Sequence, residues 1–322
     1  MWPRHPLLRY VLRRFGASAI AIVGVVTAVF LALRLAPGDP VETILGEQAS
    51  DADKAAFRER MGLADSLPSQ YARLWGQVLD GSLGASLESA ERPITVSSVI
   101  ARSFPATFEL AVGGMLIAVL IAFPLGIASA VRQYSLVDNV SMLAALVGVA
   151  LPNFWLGPML IWLFCVSWGW FPDPGAAITG LESLVLPSVV LGAALAAKLT
   201  RMVRSSVLEA LAMPFTITAR AKGLDERQVM VGHVLRNALI PVVTVMSLQF
   251  AALLTGTIIT EKVFARPGLG TLLLDAIARR NYPVVQGCVI VIALTYVVVN
   301  LATDLLYAAI DPRVRLQGPE AT

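Results

Sequence analysis

The apolar residues of this 322-residue chain are concentrated in six long runs, and the charged residues lie mainly between them. A helix needs about 20 apolar residues to cross the hydrocarbon core of a bilayer. Inside lipid the backbone must satisfy its own hydrogen bonds, which favours a helix for every run. The sequence therefore predicts an all-α integral membrane protein with six transmembrane helices. The predicted spans are Phe15–Leu33, Phe104–Val131, Met142–Val166, Leu184–Leu199, Ile240–Ile259 and Val284–Thr303.

The composition supports this prediction. Hydrophobic residues make up 57% of the chain and charged residues 15%, with a mean hydropathy of +0.72, whereas a soluble domain has about a quarter charged residues. The first run is long for the apolar core of a signal peptide, so we expect an uncleaved anchor. The fourth run is the weakest, because Pro187 opens it and Lys198 closes it. We expect Lys198 to extend its ammonium group to the membrane interface.

The distribution of Lys and Arg predicts the orientation in the membrane. If the N-terminus is cytoplasmic, 13 of these residues fall on the cytoplasmic side and 4 on the opposite side, leaving out the long first loop. Long loops are poor indicators of orientation, and positive charge in short loops favours the cytoplasm. Both termini are therefore predicted to be cytoplasmic.

The long loop between the first two spans contains helical patterns. Tyr71, Leu74, Trp75, Val78 and Leu79 follow the spacing of one helical face, and Gly81 stands where a C-terminal cap is expected. A second short helix is predicted from Ala52 to Met61, opened by Ser50 and ended by Gly62. These helices are expected to cover the outer ends of the membrane helices, to dock an external partner through Tyr71 and Trp75, or both.

The loop after the fourth span, residues 201–239, has the clearest local signals. Pro214 suits the first turn of a helix and Gly223 its end, and the segment between them is basic. Asp225 followed by Gln228 reads as a capping box that opens the next helix. We predict a short capped helix between two spans, a shape suited to docking into a groove of a partner.

Several kinds of chemistry lack a sequence signal. The chain has no phosphate-binding P-loop, no nucleophile elbow, no zinc-protease motif and no Cys/His/Asp cluster with metal-ligand spacing. The ionisable residues of the predicted spans, Glu109, Lys198 and Asp304, lie near span ends, whereas proton-coupled transporters place such groups near mid-membrane. We expect a transporter subunit that is not an enzyme and takes its energy from another polypeptide. A stand-alone secondary transporter or channel is the alternative.

Six blocks of sequence carry a family resemblance. They are residues 36–40 (APGDP), 151–156 (LPNFWL), 218–224 (TARAKGL), 233–244 (HVLRNALIPVVT), 261–270 (EKVFARPGLG) and 300–313. In this order they resemble the permease subunits of bacterial ABC importers for dipeptides, oligopeptides, glutathione and nickel. The long first loop is similar to that of the first of the two paralogous permeases in these systems.

The resemblance implies the type I ABC importer transmembrane fold in a bacterial inner membrane. The implied organisation is a cytoplasmic tail and first helix (1–34), a helical extracytoplasmic insertion (35–103), a permease core (104–308) and a cytoplasmic tail (309–322). The implied partners are a second permease, two ABC ATPases that hold ATP and magnesium, an extracytoplasmic binding protein and the lipid bilayer, without nucleic acid. No cofactor is expected in this chain itself.

The resemblance also assigns the short cytoplasmic helix as the coupling element of an alternating-access cycle. Phe215 and Ile217 are expected to be apolar anchors, and Arg220 and Lys222 to make charge contacts with the ATPase. Gly223 is expected to make the tight turn. Compared with the wider ABC importer motif, this chain has Ile217 in place of a Glu and Arg236 in place of a Pro. The expected coupling residues are Phe215, Ile217, Ala219, Arg220, Ala221, Lys222, Gly223, Leu224, His233 and Arg236.

Overall fold

The computed structural model describes residues 6–35, 39–46, 48–87, 94–175 and 180–310. Their regular structure is helical, apart from one antiparallel bridge between Ala85 and Thr95. The helices are α1 (Pro6–Leu35), α2 (Pro40–Leu45), α3 (Asp51–Arg60), α4 (Leu67–Leu79), α5 (Val96–Val131), α6 (Leu136–Ala150), α7 (Asn153–Leu160), α8 (Glu182–Leu211), α9 (Pro214–Ala221), α10 (Glu226–Gln228), α11 (Arg236–Gly256), α12 (Ile258–Val263), α13 (Leu269–Ala278) and α14 (Tyr282–Ile310). Two π-helical segments, Ile161–Ser167 and Val229–Leu235, follow α7 and α10.

The chain divides into two compact units. One comprises Met1–Thr107 and Pro267–Val297, and the other Phe108–Arg266 and Val298–Thr322. The predicted C-terminal tail begins within the last turn of α14, and residues 311–322 lie outside the described part of the chain.

The first unit contains the insertion, and the predicted caps form there. Ser50 caps α3 by accepting a hydrogen bond from the backbone N–H of Asp53 at 3.1 Å, and Gly62 ends the helix with φ +63°. Val41 and Phe57 form a small core with Leu87. The helix α2, which contributes Val41, was not predicted, because it is too short to show a periodic pattern.

Helix α4 packs against α1 within the first unit. Leu74 is buried in a cluster with Val26 and Phe30 of α1. The Tyr71 hydroxyl lies 2.7 Å from that of Thr27, and its ring meets the edge of Phe30 with centroids 5.2 Å apart. The predicted helical face therefore packs through Tyr71, Leu74, Trp75 and Val78, whereas Leu79, the last residue of α4, was wrongly included and is 82% exposed.

The second unit is built around α8, which packs against both α6 and α11. Small residues bring α8 close to α5: a Cβ atom added at Gly192 would lie 2.6 Å from the carbonyl oxygen of Gly114. At Gly126 of α5, an added Cβ atom would lie 2.7 Å from the Cβ atom of Val203. Glycine allows this approach because it has no side chain, a frequent device where membrane helices meet.

The third predicted span, Met142–Val166, is wrong as a single helix. The chain breaks at Leu151 and Pro152, and the helices on either side meet at 102°. Proline has no N–H to continue the helix and forces the preceding residue towards an extended conformation. Among the described residues, five helices are long and apolar enough to cross a membrane, and the bent pair makes a sixth if it crosses as one span.

The helix that contains the fourth predicted span is longer than that span. Helix α8 begins at Glu182, continues past Lys198 and ends at Leu211. Its C-terminal half remains helical because Val203, Val207 and Ala210 are buried in a shared cluster. Pro187 lies inside the helix and has no N–H to donate to the carbonyl of Ser183. That carbonyl instead accepts a hydrogen bond from Nη1 of Arg266 at 3.4 Å.

Candidate functional site

The candidate site is the α9 hairpin, which we define as residues 213–236. Met213 has an extended backbone and Pro214 occupies the first helical position, so α9 begins where the sequence predicts. Asp225 and Gln228 form both hydrogen bonds of the capping box, Gln228 N–H to Asp225 Oδ1 at 2.7 Å and Asp225 N–H to Gln228 Oε1 at 3.4 Å. Both local predictions are confirmed.

Gly223 makes the turn between α9 and α10. Its φ is +80°, and its N–H donates to the Arg220 carbonyl at 3.0 Å. The N–H of Leu224 donates to the Ala219 carbonyl at 3.4 Å, which completes a Schellman motif. No atom lies within 4 Å of a Cβ atom built on Gly223. The requirement for glycine therefore comes from the backbone conformation and not from crowding.

The inner face of α9 is anchored to the end of α8. Thr216 is fully buried, and its hydroxyl donates to the Ala210 carbonyl at 2.7 Å. Ala219, one turn later, is buried in a cluster with Val207 and Val229. Thr216 was absent from the predicted site residues, although its spacing of three from Ala219 places the two on one helical face.

Apolar side chains of α9 are exposed on either side of its buried face. Ile217 is 62% exposed and Phe215 is 36% exposed. Met213 before the helix and Val231 in the following π-helical segment add further exposed apolar side chains. A short helix that presents apolar side chains outward while its inner face is fixed has the form of a docking element.

The basic residues of the hairpin differ in the contacts that they make. Arg220 forms a bidentate ion pair with Glu226 across the Gly223 turn, with Nε–Oε1 and Nη2–Oε2 distances of 2.8 and 3.1 Å. Hydrogen bonds to this carboxylate raise the pKa of the Arg220 guanidinium. The pairing was not predicted, although opposite charges six residues apart across a turn are a signal for it. Lys222 is exposed at the end of the helix.

The remaining predicted residues lie around this turn. Ala221 and Arg236 are exposed, and Leu224 is half-buried against the core of the hairpin. His233 is half-buried in the π-helical segment, and its backbone carbonyl accepts a hydrogen bond from Asn237 Nδ2 at 2.7 Å. Tyr71 and Trp75, predicted for docking in the insertion, are half-buried beside α1 in the other unit.

Two protein-family models match the chain. Residues 122–316 match the family described as "Binding-protein-dependent transport system inner membrane component", and residues 7–111 match "Binding-prot-dependent transport system membrane comp, N-term". The first match includes the whole α9 hairpin and covers more than half of the chain.

The chain is also similar over its full length to curated permeases. It is 42% identical over 309 residues to the glutathione transport system permease protein GsiC of Salmonella paratyphi A, covering 96% of this chain and 99% of GsiC. It is 38% identical over 338 residues to the di/tripeptide transport system permease protein DppB of Pseudomonas aeruginosa, covering 97% and 100%. The dipeptide transport system permease protein DppB of Escherichia coli K12 is 37% identical over 340 residues, covering 96% and 99%.

Solved structures show the same fold at low sequence identity. A chain of the MetNI methionine ABC transporter aligns with a TM-score of 0.55 and 19% identity, covering 66% of this chain and 97% of that one. A chain of an amino acid ABC transporter aligns with a TM-score of 0.53 and 12% identity, covering 66% and 94%. The likeness confirms the predicted type I ABC importer transmembrane fold.

Proposed function

This chain belongs to the family of binding-protein-dependent transport system inner membrane components, and from that premise we propose that α9 couples it to ATP hydrolysis by partner subunits. The chain is a membrane subunit of an ATP-driven importer, which decides against a stand-alone channel or secondary transporter. The observation that carries the coupling proposal is the two-sided construction of α9. Its inner residues Thr216 and Ala219 are buried, while Phe215 and Ile217, on either side of that face, are exposed.

The proposed mechanism is alternating access. Two ABC ATPase subunits hold ATP and magnesium, and their closure displaces α9. Because Thr216 and Ala219 fix α9 to α8, this displacement is passed to the membrane helices. Phe215 and Ile217 anchor α9 in an apolar groove of the ATPase. This chain then contributes no catalytic group, and its role is to form part of the pathway together with a paralogous second permease.

The proposed substrate is a small peptide or a peptide-like solute such as glutathione, delivered by an extracytoplasmic binding protein. The named relatives are permeases for glutathione, dipeptides and tripeptides. The alignment with GsiC spans 309 positions and that with E. coli DppB spans 340, although both cover 96% of this chain. The chain therefore lacks residues that this dipeptide permease has, and with the higher identity to GsiC this favours the glutathione branch.

The proposed topology places both termini and the α9 hairpin in the cytoplasm of a bacterium, with the insertion outside the inner membrane. The support is the 13-to-4 distribution of Lys and Arg. A cysteine introduced at residue 4 or residue 317 should stay unlabelled by a membrane-impermeant maleimide in intact cells. Labelling of either position before lysis would contradict this topology.

The coupling role is tested at Gly223 by a change to valine. A β-branched residue at positive φ is strongly disfavoured, and a penalty of about 1–2 kcal/mol changes an equilibrium by roughly 5–30-fold. We expect transport and substrate-stimulated ATP hydrolysis by the complete importer to fall together by about this factor. The affinity of the binding protein for its ligand should stay constant, because that site lies on another polypeptide.

A change of Gly223 to asparagine is the matched control. Asparagine adds a side chain of similar size but adopts positive φ more readily, and the space around Gly223 is open. This variant should retain most of the transport activity. An assembled Gly223→Val importer with wild-type transport and wild-type stimulated ATP hydrolysis would show that α9 is not the coupling element.

A further inference from the structure

A buried ionic cluster joins the α5–α6 turn to the C-terminal half of α8. Asp138, in the first turn of α6, is 2% exposed. Arg204 of α8 donates from Nε to Oδ1 at 2.6 Å and from Nη2 to Oδ2 at 2.7 Å. The carboxylate also accepts hydrogen bonds from the Ser129 hydroxyl at the end of α5 and from the Tyr134 N–H, the latter at 2.9 Å. Helices α5, α6 and α8 therefore meet at a single carboxylate.

The geometry of this cluster indicates a positional role. Removing two charges from water is costly, and an apolar pair of similar volume often stabilises a protein as well or better. The planar guanidinium fork, however, fixes both the distance and the angle between two elements. Tyr134, whose N–H the same carboxylate accepts, has φ +61°. The turn is thus held in an uncommon backbone conformation where Asp138 binds it.

The same stretch of α8 holds the α9 hairpin. Ala210, whose carbonyl accepts the Thr216 hydroxyl, lies six residues after Arg204, which is less than about two helical turns. Val203 and Val207 on either side of Arg204 are fully buried in one cluster with Ala219 of α9. The end of α8 is therefore bound on one side to α9 and on another side to the α5–α6 turn.

We propose that Asp138 and Arg204 are positioning residues that fasten the α5–α6 turn to the α8–α9 segment, so that α5 and α6 move with α9 as one body during transport. This inference rests on the proposed coupling role of α9. It adds residues outside the hairpin, and it identifies the helices that receive the displacement.

The first test neutralises the cluster without leaving an unpaired charge. In the Asp138→Asn/Arg204→Gln double variant, the amount of solute transported per ATP hydrolysed should fall about fivefold or more, the lower range of coupling effects. The KM for ATP should be unchanged, since ATP is proposed to bind to another subunit. The matched control is Asp65→Asn/Arg73→Gln, which neutralises an ion pair in the insertion and should leave the transport ratio unchanged. An assembled Asp138/Arg204 variant with the wild-type ratio would overturn the inference.

The second test needs no change in the cluster. Spin labels on cysteines introduced at Gln133 and Ala212, both exposed, report the distance between the α5–α6 turn and the end of α8. The two native cysteines, Cys165 and Cys288, are buried. The distance in the complete importer should be the same without nucleotide and with bound ATP, and a change between these states would overturn the inference. This measurement decides the matter if the double variant fails to assemble.

The Gly223→Val importer separates the two proposals. Suppose that Gly223→Val loses coupling, and that the Gln133–Ala212 distance in the importer without this change differs between the nucleotide-free and ATP-bound states. The inference then fails and the coupling role of α9 stands. If the Gly223→Val importer transports normally, the coupling role itself fails, whatever the distance shows.

Discussion

Three residues hold the α9 hairpin, each through a different interaction. Gly223 provides a backbone conformation that other residues rarely adopt, and Thr216 provides a buried hydrogen bond to α8. Arg220 provides an exposed ion pair across the turn. Exposed ion pairs contribute little to stability, so we assign Arg220 and Glu226 to orienting the hairpin. Gly223 and Thr216 therefore fix the conformation of the hairpin more strongly than the Arg220 ion pair does.

Gly192 offers a stability prediction at the α5–α8 contact. An added Cβ atom would lie 2.6 Å from the Gly114 carbonyl oxygen, so Gly192→Ala should destabilise the folded state by about 1–3 kcal/mol through overpacking. In detergent, this loss should appear as a lower melting temperature of the purified complex.

The control is the same substitution at Gly24 of α1, where no atom lies within 4 Å of an added Cβ atom. Alanine is a better helix former than glycine by about 0.5–1 kcal/mol, so the melting temperature of Gly24→Ala should stay level or rise. Equal melting temperatures for the two variants would contradict the close packing of α5 and α8.

Among the elements, those predicted correctly depend on neighbours in sequence. The α3 cap needs Ser50 and Asp53, the capping box needs Asp225 and Gln228, and the end of α9 needs Gly223. In each case the two partners are at most three residues apart, or the signal is one glycine. The apolar runs also predict membrane helices well, because a bilayer imposes a minimum length.

Other features depend on partners that the sequence does not place together. Asp138 and Arg204 are 66 residues apart, and no local pattern pairs them. The π-helical segment Val229–Leu235 was not predicted either. Pro152 itself is a local signal for the bend. The sequence on both sides of it is apolar, however, so the two helices were predicted as one span. Hydropathy indicates which residues are buried in lipid or protein, but it does not indicate where a helix bends.

We expect the packing of helix α4 against α1 to stabilise the insertion. Leu74 is 5% exposed and packs against α1, whereas Leu79 on the same helix is 82% exposed. Leu74→Ala should destabilise the insertion by about 2–5 kcal/mol, and Leu79→Ala should have little effect. Amide hydrogen exchange over residues 67–79 should therefore accelerate in the first variant alone. Equal exchange in both variants would mean that α4 is not fixed by this face.

At the scale of the whole molecule, the chain is one subunit of a larger importer complex. Its family and fold are those of ABC importer permeases, and the α9 hairpin presents apolar side chains that this chain alone leaves exposed. We assign that surface to the ATPase subunits. Direct contact between the exposed apolar side chains of α9 and an ATPase is therefore expected in the assembled importer.

Site-specific photo-crosslinking measures this contact directly. A benzophenone amino acid replaces Ile217, the most exposed large hydrophobic side chain of α9, in a transport-competent importer. A second importer carries the same amino acid at Leu79 of the insertion. We expect a covalent adduct between this chain and an ATPase subunit from position 217 and none from position 79. Absence of the ATPase adduct from position 217, in an importer that still transports, would contradict the docking of α9 on an ATPase.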